Sequence, residues 1–168
     1  MFRLIFKYLI FIQQRWKGNS QALTLIELLL VLTILGTLSA IATPLYTGYV
    51  DKQRNTTALV DIRNIESQIE GFKTLNGRPP NNFAEAGITA PNDPWGNPYE
   101  YMRLQGLSKK EMDKKCRWDK QEKPLNYDYD LYSMGKDGVT QLKITAKDSH
   151  DDIIRASGGA YVGLASEY

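Results

Sequence analysis

The chain has 168 residues, which leaves room for one small domain after an apolar N-terminal segment. Its net charge is +2, and basic and acidic residues are mixed along the C-terminal two-thirds, so no basic face indicates nucleic-acid binding. The single cysteine, Cys116, excludes an internal disulfide and a cysteine-based metal cluster.

An apolar segment between residues 23 and 46 has the length of a membrane span. It offers roughly the 20 apolar residues that a helix needs to cross a bilayer, and Glu27 is its one charged residue. Four basic residues and no acidic residue precede it, whereas acids and bases are mixed after it. Because cytoplasmic flanks carry the excess of Lys and Arg, the pattern predicts a cytoplasmic N-terminus and a C-terminal domain outside the membrane.

Glu27 is an acid close to the start of this apolar segment. A carboxylate in a membrane-length segment is costly unless it is paired, so it marks a functional site. If the chain is cut before Leu23, the new α-amino group is a cation that Glu27 of a neighbouring copy can neutralise. The position therefore predicts that Glu27 sets the register between identical subunits and has no catalytic role.

Two other interpretations of the apolar segment stay open. A plain single-span anchor is compatible with the hydropathy alone. A cleaved secretory signal would have a shorter apolar core with small residues before its cut site, and Glu27 lies on the wrong side of the span for that.

After the span, the apolar residues form a helical stripe that predicts one long helix continuing into the soluble domain. They recur at steps of three and four, and charged residues occupy the other faces. Asn76 and Gly77, followed by two prolines, are typical of a helix end. Pro44 removes one hydrogen bond from the helix interior, which predicts a kink. The predicted core face carries Leu59, Ile62, Ile65, Ile69, Phe72 and Leu75.

Beyond the helix, the sequence predicts an ordered loop and three short strands. Residues 77–97 are rich in Pro, Asn and Gly and form the loop. The strand candidates are residues 99–104, 127–133 and 140–144. Residues 105–124 are highly charged and predict a solvated excursion, with a docking surface for a partner as the alternative.

Acidic residues near the C-terminus are the one candidate metal site. Two turns that flank a predicted hairpin strand supply four carboxylates, from Asp137, Asp148, Asp151 and Asp152. Hard oxygen ligands of this kind, supplemented by backbone carbonyls, suit Ca²⁺, which takes about six to eight ligands. On the pattern alone, ordinary solvated turns explain the same residues.

Catalysis is not expected from this sequence. His150 is the only histidine, and no nucleophile elbow or phosphate-binding glycine loop is present. A hydrolytic set of His150, Asp152 and Ser133 can be drawn, but His150 fits an exposed turn better.

The run from Ala22 to Glu27 resembles the processing site of type IV prepilins and pseudopilins. Their pattern is Gly, then Phe or Met, Thr, Leu, a hydrophobic residue and Glu. Here Thr24 to Glu27 match, Ala22 stands in place of Gly, and Leu23 stands in place of Phe. Pro44 falls where the family often carries a helix-bending proline. The resemblance implies cleavage between Ala22 and Leu23 by prepilin peptidase, N-methylation of Leu23, and a role for Glu27 in subunit assembly.

Two further elements resemble the major pseudopilins of type II secretion systems. The run Asp93 to Tyr99 is similar to their Asp-Pro-Trp-Gly-Asn-x-Tyr element, and residues 132–138 with 151–153 are similar to their calcium loop. Residues 105–126 look like an insertion relative to this family, and the tail from Ile154 departs from its usual ending. The resemblance implies a structural Ca²⁺ ion held by Ser133, Asp137, Asp148, Asp151 and Asp152.

The sequence is therefore interpreted as a pilin-like α+β protein, in which a long N-terminal helix packs on a small antiparallel β-sheet. The expected parts are a leader at 1–22, a transmembrane and filament-core helix at 23–46 with its kink near Pro44, and a periplasmic globular domain at 47–168. The resemblance implies a non-enzymatic subunit of a periplasmic pseudopilus that drives protein export by type II secretion. Before assembly, the subunit would be anchored in the bacterial inner membrane.

The expected partners follow from the same resemblance. They are further copies of the chain in a helical filament, prepilin peptidase, minor pseudopilins, and the inner-membrane assembly platform with its ATPase. Nucleic acid is not expected. A type IV pilus subunit used for adhesion, motility or DNA uptake is the alternative within the class, and a single-span protein with a periplasmic binding domain is the alternative from another class.

Overall fold

The first element is a long helix, α1. The computed structural model describes residues 24–168, and α1 covers Leu25–Asn76. The predicted helix end is confirmed, because Gly77 follows with a φ of +71° and its N–H donates to the Lys73 carbonyl at 2.8 Å. The chain divides into two compact units, Met1–Tyr46 and Thr47–Tyr168.

The second unit contains a four-stranded antiparallel sheet in the order β1-β2-β3-β4. In chain order the elements are β1 Glu100–Arg103, α2 Lys109–Lys115, β2 Tyr129–Ser133, β3 Ile153–Ala156 and β4 Tyr161–Leu164. Tyr132 in β2 pairs with Glu100 on one side and with Ile154 on the other. The predicted fold class, a long helix on a small antiparallel sheet, is confirmed.

One face of the sheet packs on α1. The apolar residues there alternate along the strands, because successive side chains of a strand point to opposite faces. This core contains Ala58, Ile62, Ile65 and Ile69 from α1, with Tyr129, Leu131, Ile153 and Val162 from the strands. The buried helix residues follow the three- and four-residue spacing that the sequence predicted.

The other face of the sheet is covered by the chain itself. Ile154 and Ala156 of β3 form a second cluster with Leu125, Ile144 and Ala165. Leu125 belongs to the insertion at 105–126, so the insertion takes part in the core. Because both faces are covered, all four residues of β3 are buried.

Arg155 is the charged member of β3, and its burial is explained by its partners. It lies on the α1 side, where its Nε donates to Glu66 at 2.7 Å. Its Nη1 and Nη2 donate to the two oxygens of Asp128 at 2.9 and 3.0 Å. A buried charge is tolerated when it is paired and hydrogen-bonded in this way.

The strand predictions were right for two strands and wrong for a third. Residues 99–104 and 127–133 contain β1 and β2. Residues 140–144 do not form a strand; only Lys143 makes an isolated parallel bridge, to Trp118. The strands β3 and β4 were missed, because β3 follows two aspartates and carries a charged residue, while β4 is short and contains Gly163.

Two other expectations need correction. Leu75, placed on the core face by its spacing, is 86% exposed, because periodicity identifies the buried face but not how far the core extends along it. The charged run at 105–124 is solvated at α2, but Cys116 and Arg117 are buried at 0% and 3% exposure. His150 is exposed, as expected.

Candidate functional site

Reciprocal hydrogen bonds between Thr24 and Glu27 close the N-terminus of α1. The Glu27 carboxylate accepts from the backbone N–H of Thr24 at 2.9 Å and from its hydroxyl at 2.8 Å, and the Thr24 hydroxyl accepts from the N–H of Glu27 at 3.3 Å. This is a capping box, which satisfies N–H groups that a helix start leaves unpaired. The Thr-x-x-Glu spacing signals such a cap, and the sequence interpretation of Glu27 missed it.

The predicted processing site precedes the cap directly. Ala22 and Leu23 lie outside the described residues, so cleavage and N-methylation at this bond stay predictions. The same holds for the pairing of Glu27 with the α-amino group of a neighbouring Leu23. In the single subunit, Glu27 already has the Thr24 groups as partners.

The first part of α1 presents an uncovered apolar surface. Every residue from Thr24 to Tyr49 is exposed, and Leu25, Ile41 and Leu45 are 78%, 64% and 69% exposed. Exposing apolar surface to water is unfavourable by about 25 cal/mol per Å². Among the described residues, α1 is the one helix long and apolar enough to cross a membrane. An exposed apolar surface of this extent is typical of a segment that contacts lipid or other apolar helices.

Pro44 lies inside α1. Proline has no N–H to donate to the carbonyl of Ala40, and its ring crowds that carbonyl. The missing hydrogen bond and the crowding are the physical reason to expect a kink at Pro44, and the kink itself stays a prediction.

Asp151 and Asp137 shape the turn that follows β2. Asp151 accepts from the backbone N–H groups of Lys136 and Asp137 at 2.7 and 3.0 Å, and Asp137 accepts from the N–H of Val139 at 2.8 Å. Gly135 begins the turn with a φ of +66°, and a Cβ there would lie 2.3 Å from the backbone carbonyl oxygen of Asp151. Glycine is therefore required both for the backbone conformation and for the close approach of the two segments.

Asp148 and Ser133, the next two predicted ligands, have partners elsewhere. Asp148 accepts from the side-chain amide of Gln141 at 2.8 Å. The Ser133 hydroxyl donates to Asp93 at 2.6 Å and accepts from the N–H of Gly135 at 3.1 Å.

Asp93 links the loop before β1 to the end of β2. It is 4% exposed, and one carboxylate oxygen accepts from the N–H groups of Trp95 and Asn97 at 3.1 and 2.8 Å. The other oxygen accepts from Ser133, and the Asn97 amide donates to the Gly135 carbonyl at 3.3 Å. The Asp-Pro-Trp-Gly-Asn run therefore supports the turn after β2, a role that the sequence did not reveal because both partners are distant along the chain.

Asp152 is fully buried and faces a buried cation, Arg117. Oδ2 of Asp152 accepts from Nη2 of Arg117, and from the Thr140 hydroxyl at 2.6 Å. Nη1 of Arg117 donates to the Thr140 hydroxyl oxygen at 2.9 Å. Burial raises the pKa of Asp152, and the charge of Arg117 and the hydrogen bond from Thr140 oppose that shift.

The calcium prediction places five ligands around one ion, Ser133, Asp137, Asp148, Asp151 and Asp152. Ca²⁺ takes about six to eight oxygen ligands. Within residues 24–168, no group of three or more Asp, Glu, His or Cys side chains is arranged to hold a metal ion. Oδ1 of Asp152 is buried and unpaired there, but the adjacent Arg117 guanidinium would repel a divalent cation. Calcium binding stays a prediction.

Comparison with known proteins places these features in a family. The prokaryotic N-terminal methylation motif matches residues 17–43. The type II secretion system core protein G of Pseudomonas aeruginosa is 29% identical over 143 residues, which cover 73% of this chain and 87% of that protein. The protein of the same name from Vibrio cholerae serotype O1 is 30% identical over 99 residues, which cover 47% of this chain and 68% of the relative.

A pilin is also similar to this chain. The type IV major pilin protein PilE1 of Neisseria gonorrhoeae is 32% identical over 68 residues, which cover 40% of this chain and 41% of that pilin. No solved structure matches the chain significantly.

An apolar N-terminal helix with a methylation motif and a small antiparallel sheet together define a pilin-like protein. Within this class, the similarity to core protein G extends over more of the chain than the similarity to the pilin. The chain belongs to the family of type II secretion system core protein G. The family resemblance expected from the sequence is confirmed.

Proposed function

We propose that the chain is a structural subunit of a pseudopilus, the periplasmic fibre of a type II secretion system. The observation that carries the proposal is the uncovered apolar surface of α1, at residues 24–49, which overlaps the methylation motif at residues 17–43. In the membrane this surface faces lipid, and in the fibre it packs against the helices of other copies. A head-to-tail contact between identical subunits does not close on itself, so it builds an open-ended filament.

Processing and orientation complete the proposed pathway. The basic residues of the leader favour a cytoplasmic N-terminus, where prepilin peptidase would cut between Ala22 and Leu23 and methylate Leu23. Glu27 would then pair with the Leu23 amine of an adjacent subunit. Minor pseudopilins, the inner-membrane platform and its ATPase would add subunits, and fibre extension would push exported proteins outwards.

A type IV pilus subunit is the second candidate. The similarity to PilE1 supports it, but that similarity covers 68 residues, whereas the similarity to core protein G of P. aeruginosa covers 143. The pseudopilus is therefore the favoured assembly.

Processing by prepilin peptidase tests the proposal directly. The intact mass and the N-terminal peptide of the membrane-extracted protein are measured with and without co-expressed peptidase. The expected result is a peptidase-dependent terminus at Leu23 that carries one added methyl group. Ala22→Gly should be cut at least as well, and Ala22→Trp should stay uncut, because only a small residue fits before the bond. An intact Met1 terminus in both conditions would favour a plain single-span protein instead.

A further inference from the structure

Arg117 reaches the interior of the domain because the insertion at 105–126 turns back towards the sheet. The backbone N–H of Arg117 donates to Asp130 of β2 at 2.9 Å, and its carbonyl accepts from the N–H of Leu125 at 2.9 Å. Backbone hydrogen bonds of 2.9 and 3.0 Å then join Trp118 to the segment 142–144. The backbone of Arg117 is therefore held in place by hydrogen bonds that do not involve its side chain.

The Arg117 guanidinium contacts three separate segments of the domain. Its Nη2 donates to Asp152, immediately before β3, and its Nη1 donates to Thr140 in the loop that follows β2. Its centre lies 4.0 Å from the ring centroid of Tyr132 in β2, a cation–π contact. Thr140 closes the arrangement by donating to the same Asp152 oxygen. One planar cation thus connects the loop to β2 and to the residue that precedes β3.

A cation beside Asp152 stabilises the ionised carboxylate, which is completely buried. A buried carboxylate without a counter-charge is strongly unfavourable, and a buried cation beside it offsets part of that cost. Arg117 is itself 3% exposed, so the two charges compensate each other away from solvent. The other three predicted carboxylate ligands each have one oxygen that accepts from a donor in the protein.

We propose that Arg117 is the cation of this site, so that the loop after β2 is held to β3 by a guanidinium where the sequence pattern predicted calcium. The insertion, which separates this chain from the family pattern, supplies that guanidinium. The subunit stabilises its own loop in this way whether or not it assembles into a pseudopilus.

The calcium dependence of the parent chain tests the proposal without any mutation. The melting temperature of the full chain in detergent is measured by circular dichroism, once with EDTA and once with millimolar calcium chloride. We expect the same melting temperature in both, whereas a structural ion at 100 times its Kd would raise it by roughly 5–15 °C. A rise of that size, abolished by Asp137→Asn, would overturn the proposal and support the calcium site.

Removing the guanidinium gives the complementary test. Arg117→Met should lower the melting temperature by roughly 10 °C or more with or without calcium, because it leaves Asp152 buried without a counter-charge. Arg54→Met, at an exposed position of α1, is the matched control and should change little.

The double variant Arg117→Met/Asp152→Asn should regain part of the loss, since an amide needs no counter-charge. This variant, together with the EDTA comparison, keeps the test decisive if Arg117→Met does not fold. A melting temperature of Arg117→Met equal to that of the control would contradict the proposal.

Discussion

Gly135 and Gly77 illustrate two reasons why a position requires glycine: a positive φ, and a lack of space for a side chain. Both have a positive φ, +66° and +71°, in the region that L side chains rarely adopt. A Cβ at Gly135 would lie 2.3 Å from the carbonyl oxygen of Asp151 and 2.7 Å from its Oδ2, whereas one at Gly77 would meet no heavy atom within 4 Å. Gly77 therefore carries only the conformational requirement, and Gly135 carries the steric one as well.

Alanine at these two positions should destabilise the protein by different amounts. Gly77→Ala should cost about 1 kcal/mol, the usual penalty of a left-handed residue. Gly135→Ala should cost about 3 kcal/mol or more, because the backbone at Asp151 must move. Urea unfolding of the full chain in detergent, followed by tryptophan fluorescence, measures both. Equal losses would mean that the turn and Asp151 separate easily.

Single residues also show which contacts could be predicted from the sequence. The Thr24–Glu27 cap has a local signature at a three-residue spacing, so it was predictable. The contacts Asp93–Ser133 and Arg117–Asp152 join residues 40 and 35 positions apart. Such partners are selected by the tertiary fold, and a charged or polar residue in a loop gives no local sign of being buried.

At the scale of elements, the sequence predicts which face of α1 is buried but not how far the core extends along the helix. The spacing identified Ile62, Ile65 and Ile69 correctly, and they are at most 2% exposed. The same spacing included Leu75, which lies beyond the end of the core. The strand prediction for 140–144 was wrong for a related reason. Its alternating residues resemble a strand, but among the described residues its backbone bonds to Trp118 of the insertion and to the Ser149 hydroxyl, neither of which belongs to a strand. Strand pairing depends on a partner that a local pattern does not contain.

Truncation of one buried and one exposed apolar residue of α1 tests whether the core ends before Leu75. Ile65→Ala should lower the free energy of unfolding by about 2–5 kcal/mol, because it removes buried apolar atoms and leaves a cavity. Leu75→Ala should change it by less than about 0.5 kcal/mol, as at other exposed sites. Both values come from urea unfolding in the same detergent. A large loss at Leu75 would indicate that this side chain is covered in solution by another copy.

At the scale of the whole molecule, the chain combines an exposed apolar helix surface with a domain that has a charged exterior. The surface of α1 between Thr24 and Tyr49 suits lipid or a packed helix bundle, whereas Thr47–Tyr168 has its own core and a charged exterior. Glu27 lies at the start of the apolar part, where its charge is the feature that lipid tolerates least. The capping box supplies hydrogen bonds to this carboxylate but no positive charge.

The variant Glu27→Gln separates the cap from the charge. Glutamine keeps an oxygen that can accept from Thr24, so insertion, processing and the start of α1 should be preserved. Assembly should fall sharply, because the amide cannot neutralise the α-amino group of the neighbouring Leu23. The measurement is the amount of sedimentable filament in cells that carry the secretion system, with Thr24→Ser as a control that keeps the hydroxyl. Normal filament formation by Glu27→Gln would refute the pairing of Glu27 with that amine.

The buried Arg117 has a consequence for where the subunit can work. A cation attached to the backbone accompanies every copy at a ratio of one to one, and its local concentration is set by the covalent connection. A free ion would stabilise the domain only in proportion to its supply in the medium. On this proposal the counter-charge is encoded in the chain, so we expect the stability of the subunit to be the same in calcium-poor and calcium-rich surroundings and in the presence of chelating compounds.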